Sequence, residues 1–220
     1  MSEKSKSSNR PESQVLMFVG THCQHCGPVL SSLSELVKEG VIDSLEVINL
    51  EKRPEAAVEW GVRSVPWLRV GWFELEGVRS KAELKRWVQN TSSTEGVSEY
   101  YAEILAQGRV KQCLSFLQDH PETMTSVLQL MSDPNEKINV RLGIGVIMEE
   151  CAATADFKKY IPQLIEYLNH EDPRIRQDTC HYLSLTQNAE LIKTLEPLLD
   201  DADENVREEA QDSIESLRMN

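Results

Sequence analysis

The sequence predicts a small α/β domain followed by an all-helical repeat domain. Between residues 13 and 90, short apolar runs alternate with helical patterns, and from residue 97 onward only helical patterns occur. Charge divides the chain in the same way. Residues 1–92 hold 12 Lys+Arg and 12 Asp+Glu, whereas residues 93–220 hold 11 and 24. The chain therefore has a neutral front and a strongly acidic back.

The front half contains the pattern of a mixed sheet. Its expected elements are a buried strand (14–20), a helix (24–39), a strand (44–50), a short helix closed by Gly61 (54–61), a hairpin about Gly71 and a helix opened by a Ser80/Glu83 capping box. A helical crossover joins parallel strands, and a hairpin joins antiparallel ones. The predicted fold is therefore a small α/β sandwich.

Two polar segments bound this domain. Residues 1–12 are rich in Ser, Lys and Glu without an apolar core, and are predicted to be a disordered tail rather than a secretory signal. The stretch "NTSSTEG" ends in glycine, and we place a linker at residues 91–96 within it. The predicted domains are thus 13–90 and 97–220.

The back half contains a repeated pattern. The segments "SDPNEKINVR", "HEDPRIRQD" and "DDADENVREE" each combine an acidic turn with an Ile-Arg or Val-Arg pair, and their arginines are Arg141, Arg176 and Arg207. Spacings of 35 and 31 residues indicate stacked helical hairpins. We expect these arginines to cap or bridge neighbouring repeats and to tie their acidic turns together. The segment "LGIGVIM" could form a strand on local pattern, but the repeat spacing predicts a helix.

The stretch "THCQHCGP" carries the chemistry of the chain. Cys23 and Cys26 are two residues apart, where a buried strand is expected to give way to a helix. The N–H groups and dipole at a helix N-terminus stabilise a thiolate, the form that attacks disulfides. The more exposed Cys23 is then the nucleophile, and Cys26 resolves the mixed disulfide. Alternatively, His22, Cys23, His25 and Cys26 could bind a metal, although no second CxxC completes a zinc site.

Residues 13 to 90 resemble the thioredoxin family. The resemblance rests on the strand followed by Cys23-Gln24-His25-Cys26, on "VRSVPWL", and on the hairpin and helix after it. It implies a cis Pro66 after Val65 that faces the cysteines and shapes the substrate groove. It implies no cofactor.

The departures from that family concern the surroundings of the cysteines. His22 replaces the usual aromatic residue, and Met17 stands where thioredoxin keeps a buried acid. His25 lies between the cysteines, where a donor or positive imidazole favours the thiolate, and we expect His22 to tune the thiolate in the same way. Trp67 follows the proline in place of a small hydroxyl residue, and we expect it to line a narrower or more apolar groove.

Residues 122 to 220 resemble HEAT-like helical repeats, through their Asp-Pro turns and Val-Arg positions. The resemblance implies an extended surface for protein binding. The three remaining cysteines lie among apolar residues and are expected to be inert core residues, namely Cys113, Cys151 and Cys180.

These observations predict a cytoplasmic thiol–disulfide oxidoreductase whose helical repeats recruit a protein partner. The back half would repel nucleic acid and anionic membranes and favour a basic partner surface. No apolar run is long enough for a membrane span, and the odd cysteine count fits a reducing compartment. An adaptor that uses both modules without catalysis is the main alternative, and a metal-binding CxxC is the third.

Overall fold

A computed structural model describes residues 13–91 and 93–219 of the chain. The predicted tail at residues 1–12 lies outside the described residues. The chain divides into two compact units after Val97, and each is described by itself.

The first unit has the predicted order of strands and helices. Its elements are β1 (Gln14–Val19), α1 (Cys26–Lys38), β2 (Ser44–Asn49), α2 (Pro54–Trp60), β3 (Trp67–Val70), β4 (Phe73–Glu76) and α3 (Lys81–Gln89). The strand order is β2-β1-β3-β4, with β1 parallel to β2 and antiparallel to β3, and with β3 and β4 forming the predicted hairpin. The predicted mixed α/β fold is confirmed.

Strand β1 lies inside the sheet and is buried on both faces. Because side chains alternate along a strand, Leu16 and Phe18 share one face, where they join a cluster with Trp67 of β3 and Ala56 of α2. The predicted capping box opens α3: Ser80 Oγ accepts from the Glu83 N–H at 3.3 Å, and the Ser80 N–H donates to Glu83 Oε2 at 2.8 Å.

The predicted linker is shorter than expected, because the next helix begins inside it. Helix α4 (Thr94–Ala106) begins at Thr94. Ser93 Oγ accepts a hydrogen bond from the Gly96 N–H at 3.0 Å, the bond that caps a helix N-terminus. A Cβ at Gly96 would lie 2.0 Å from the Asn90 carbonyl oxygen, so only glycine fits this first turn.

The second unit is helical throughout its described residues. After α4 come α5 (Val110–Asp119), α6 (Met124–Met131), α7 (Ile138–Cys151), α8 (Ile161–Tyr167), α9 (Pro173–Leu185), α10 (Ile192–Leu195) and α11 (Glu204–Met219), with short 3₁₀ turns between several of them. Helix α7 neighbours α5 and α9, and α9 packs against α11, so these helices form one layer of a stack.

Helix α7 contains the "LGIGVIM" segment, and the prediction of a helix there is confirmed. Gly143 permits a close approach to α4, because a Cβ at this position would lie 2.6 Å from Leu105 Cδ2. The glycine that weakens the helix locally is thus required by its packing.

Two of the repeated arginines bridge successive repeats, and the third caps the turn of its own repeat. Arg141 of α7 pairs with Asp178 of α9 at 2.5 Å. Arg176 of α9 binds both carboxylate oxygens of Asp201, at 2.7 and 2.8 Å. Arg207 donates to the Asp201 carbonyl oxygen at 2.7 Å, so it ties the acidic turn before α11 to that helix.

Candidate active site

The dithiol lies in the turn that joins β1 to α1. The Cys23 N–H donates to the Gly20 carbonyl oxygen at 3.2 Å, and the Cys26 N–H donates to the Cys23 carbonyl oxygen at 3.3 Å. Helix α1 begins at Cys26, two residues later than the sequence pattern predicts, so residues 23–25 form a turn ahead of it. The dithiol is therefore at the positive end of the α1 dipole.

The two cysteines are joined by a disulfide, and they differ in exposure. Their Cα atoms are 5.4 Å apart, a separation usual for disulfides. Cys26 is 5 % exposed, whereas Cys23 is only partly buried. An incoming sulfur can thus approach Cys23 but not Cys26, the asymmetry that an attacking and a resolving cysteine require.

The Val65–Pro66 peptide bond is cis and lies beside Cys23. Cys23 Sγ is 3.6 Å from the Val65 carbonyl oxygen, close enough for a Cys23 thiol to donate a hydrogen bond once the disulfide is reduced. Pro66 itself is buried. The structure therefore brings the two cysteines together with Val65 and Pro66, although Cys23 and Val65 are 42 positions apart in the sequence.

Trp67 does not line the groove as the sequence predicted. It is 2 % exposed, and its ring packs edge-on against Phe18 at 5.3 Å and Trp60 at 6.3 Å between centroids. The physical reason is the strand register: Trp67 lies directly opposite Phe18, so both side chains point to the same buried face of the sheet.

A shallow surface pocket surrounds Cys23. It is lined by Gly20, His22, Cys23, Gln24, His25, Glu51 and Val65. His22 and His25 are both exposed in it, where the sequence predicted thiolate-tuning groups. Among the described residues, no group of three or more His, Cys, Asp or Glu side chains is arranged to hold a metal ion.

Glu51 is a pocket residue that the sequence reasoning missed. Its Oε1 accepts from the Thr21 N–H at 2.9 Å, and Asn49 Nδ2 donates to Thr21 Oγ1 at 3.1 Å. Hydrogen bonding from Thr21 lowers the pKa of Glu51, so this carboxylate is charged at neutral pH. The sequence could have revealed this residue, because Asn49 and Glu51 lie at the end of the second parallel strand. Parallel strands end at the same sheet edge, so these residues are expected near the turn that follows β1.

The other cysteines lie in the second unit and have a different environment. Cys113 and Cys180 are fully buried, and burial raises the pKa of each thiol to about 12. Burial also raises the pKa of Cys151, which is half-buried at the end of α7. These thiols are protonated at neutral pH, so the structure places them where the sequence expects unreactive residues.

A mixed sheet with a surface CxxC beside a cis-proline, followed by stacked helical hairpins, defines a two-domain protein with a dithiol module and a repeat module. Comparison with known families agrees. Residues 13–89 match the thioredoxin domain family, and residues 124–215 match HEAT repeats. The chain is a thioredoxin-like domain fused to C-terminal HEAT repeats. No curated protein matches the sequence.

Within the part of the chain that the structure describes, no helix is both long and apolar enough to cross a bilayer.

Proposed function

We propose that this protein is a thiol–disulfide oxidoreductase that acts on protein disulfides through Cys23 and Cys26. One observation carries the proposal: a disulfide at a helix N-terminus, next to a cis-proline, with one sulfur accessible and the other buried. Buried structural disulfides present neither sulfur in this way, and the other cysteines of the chain are buried or half-buried thiols whose pKa is raised by burial.

The reaction transfers two electrons in two exchange steps. The Cys23 thiolate attacks one sulfur of a target disulfide, forms a mixed disulfide, and releases the other target sulfur as a thiolate that takes up a proton. The Cys26 thiolate then attacks Cys23 Sγ, restores the Cys23–Cys26 disulfide, and releases the second target thiolate. The target is reduced and the protein is oxidised; with a target dithiol and the oxidised protein, the same steps run in reverse.

The neighbours of the dithiol have distinct parts in this proposal. The α1 N-terminus and the exposed imidazole of His25 favour the Cys23 thiolate, and His22 adds a second donor at the rim. Val65 and Pro66 form the wall of the groove on which an extended target segment would lie. Trp67 supports this wall from inside the core.

The HEAT repeats are proposed to recruit the protein that carries the target disulfide. Arrays of this kind present extended surfaces that bind proteins, and this one is strongly acidic. We place the protein in the cytoplasm within the same proposal, because free buried thiols such as Cys113 and Cys180 are typical of a reducing compartment.

Thiol trapping tests the proposal. A Cys26→Ser variant retains the attacking thiol but lacks the resolving one, so mixed disulfides with specific proteins should accumulate on Cys23. They are detected as reductant-sensitive adducts on non-reducing gels and identified by mass spectrometry. The Cys23→Ser/Cys26→Ser double variant is the matched control and should give no adducts. A Cys26→Ser variant that also gives none, together with no reduction of insulin by the wild-type chain, would contradict the proposal.

A non-catalytic adaptor is the second candidate, and the HEAT repeats are the observation in its favour. If the protein is an enzyme, the reduction potential of the Cys23–Cys26 pair determines whether it reduces or oxidises its target. Partner binding that persists unchanged in the Cys23→Ser/Cys26→Ser variant, combined with the absence of exchange activity, would favour the adaptor.

A further inference from the structure

Helix α7 exposes an apolar stripe on its solvent side. Ile138, Leu142 and Val146 are 71 %, 66 % and 41 % exposed, and they follow one another at intervals of four residues. This spacing places them on consecutive turns of one helix face. The opposite face is in the core, through residues such as Ile144 and Ile147. Helix α7 is therefore apolar on two sides. Within residues 98–219, other helices cover the side of Ile144 and Ile147 but not the side of the stripe.

The stripe is unusual for this domain. Four large apolar side chains are strongly exposed in the described part of the second unit, and three of them are Ile138, Leu142 and Val146. The solvent side of α11, which belongs to the same layer, is instead polar and acidic, with Glu204, Glu208, Asp212 and Glu215 exposed. A clustered apolar surface with a polar surround is typical of a protein-binding site.

Two carboxylates extend the stripe at its C-terminal end. Glu149 and Glu150 are exposed, and they follow Val146 by three and four residues, on the next turn. The last turn of α7 contains no basic residue. Because the negative end of the helix dipole is also here, these carboxylates occupy the least favourable position on the helix for a negative charge. A cationic group from outside would be attracted to this point.

The basic residue nearest along the helix does not neutralise this end. Arg141 is directed to α9, where it pairs with Asp178, and its side chain is only 13 % exposed. A hydrogen bond to Glu209 of α11 and, to a smaller extent, the charge of Glu149 raise the pKa of His181 of α9, so this one imidazole is shared between two carboxylates. The uncompensated charge beside the stripe is therefore negative, as is that of residues 93–220 as a whole.

We propose that this α7 face binds a basic amphipathic helix of a partner protein. Apolar side chains of the partner would cover Ile138, Leu142 and Val146, and a Lys or Arg would contact Glu149 and Glu150. The stripe extends for about 12 Å, two turns of helix, which matches apolar residues at i, i+4 and i+7 of a bound helix. The inference specifies the partner that the proposed function recruits and rests on that function only for the partner's role as a redox target.

Peptide binding by the wild-type chain tests the surface without redox chemistry. Three cysteine-free fluorescent peptides of equal length are compared by anisotropy. The first has leucines at helical spacing among lysines, the second has the lysines replaced by glutamates, and the third has the first composition in an order that breaks the stripe. The first should bind saturably, and the other two at least about tenfold more weakly.

Variants locate the binding site. Ile138→Ser/Leu142→Ser should weaken binding of the first peptide about tenfold or more, since these are the two most exposed apolar side chains of the stripe. Glu149→Gln/Glu150→Gln should weaken it severalfold and reduce its salt dependence. Val58→Ser is the matched control, because Val58 is an 85 % exposed apolar residue in the other domain, and its replacement should change nothing.

Several results would overturn the proposal. These are the absence of saturable binding, equal binding of the glutamate peptide, and an unchanged affinity in Ile138→Ser/Leu142→Ser with circular dichroism identical to wild type. A fall in the solution mass of the chain on Ile138→Ser/Leu142→Ser would assign the face to a second copy instead. Because the peptides lack cysteine, these results are independent of thiol trapping, and either proposal can fail alone.

Discussion

The two domains use the same residue, cysteine, in opposite ways. In the thioredoxin-like domain, Cys23 lies at the surface ahead of a helix N-terminus, beside the Val65 carbonyl. In the helical second unit, Cys113 and Cys180 lie inside helices, and burial raises the pKa of each to about 12. This difference in exposure and local electrostatic potential predicts a reactive thiol at Cys23 and unreactive thiols at Cys113 and Cys180.

The largest effect is expected when the exposed thiol of this comparison, Cys23, is removed. Cys23→Ser removes the attacking sulfur, so insulin reduction should fall to the uncatalysed background. Cys151→Ser is the matched control, because Cys151 is the least buried of the other cysteines, and it should retain wild-type activity. A turbidity assay of insulin reduction measures both. Loss of activity in Cys151→Ser with an unchanged fold would show that the reactive thiols are not confined to the first domain.

Alkaline pH should destabilise the HEAT repeats through their buried thiols. Between an ordinary pKa of about 9 and a folded-state pKa of about 12, Cys113 and Cys180 are protonated in the folded chain and ionised in the unfolded chain. The unfolded state then binds fewer protons, so stability falls as pH rises, by about 1 kcal/mol per pH unit for each thiol. Below about pH 9 both states are protonated and this contribution to the slope disappears.

Urea unfolding at several pH values measures this slope. The Cys113→Ala/Cys180→Ala variant should have a lower stability at neutral pH but a flatter decline above about pH 9. Burial also raises the pKa of Tyr182, so a smaller decline at higher pH should persist in the variant. An identical slope in wild type and variant would mean that burial does not raise the pKa of these thiols in the folded chain.

A third, smaller effect concerns the arginines that connect the repeats. Arg176 binds Asp201 through two hydrogen bonds and the His170 carbonyl oxygen at 2.7 Å, with its side chain 14 % exposed. Arg176→Met would leave a mostly buried carboxylate and a carbonyl without this donor, and should cost about 2–3 kcal/mol of HEAT-repeat stability.

Arg174 offers a matched control on the same helix. It pairs with Asp172, but its side chain is 60 % exposed, so Arg174→Met should cost less than about 1 kcal/mol. Denaturant midpoints of the two variants give the comparison. Equal losses would show that burial does not determine the strength of these bridges.

Those arginines also illustrate what the sequence can predict. Their spacing is a repeat, and a repeat predicts which elements are neighbours in a stack. The CxxC, the "SVPW" segment and the Ser80/Glu83 box are short-range patterns, and each predicts local structure or a family resemblance directly. The bridges from Arg141 and Arg176 then follow from the periodicity of the stack. The order of strands and helices was predictable for the same reason, because hydrophobic period and turn residues are local.

The rest of the site depends on tertiary register. Thr21 and Glu51 are 30 residues apart and meet because β1 and β2 run parallel and end together, with Val19 opposite Asn49. Trp67 points into the core because it pairs with Phe18 across the sheet. Its position directly after Pro66 in the sequence does not reveal this orientation. The sequence does not predict the exposed stripe of Ile138, Leu142 and Val146, because α7 is apolar on both sides. Only the structure shows which side fills the core.

The smallest effect is expected at Glu51, whose charge is part of the electrostatic environment of Cys23. Glu51 Oε1 and Cys23 Cβ both lie within 4 Å of the point that a Cβ on Gly20 would occupy, so the charged carboxylate lines the same pocket as Cys23. Glu51→Gln keeps an acceptor for the Thr21 N–H but removes the charge. Since a like charge disfavours a thiolate, the variant should react about twofold faster with iodoacetamide at neutral pH after reduction.

Glu59→Gln is the matched control, because Glu59 is an exposed carboxylate on α2 outside the pocket, and this variant should react at the wild-type rate. A slower reaction of Glu51→Gln would mean that the carboxylate acts by positioning the Thr21 turn, or by accepting the Cys23 proton, and not by its charge.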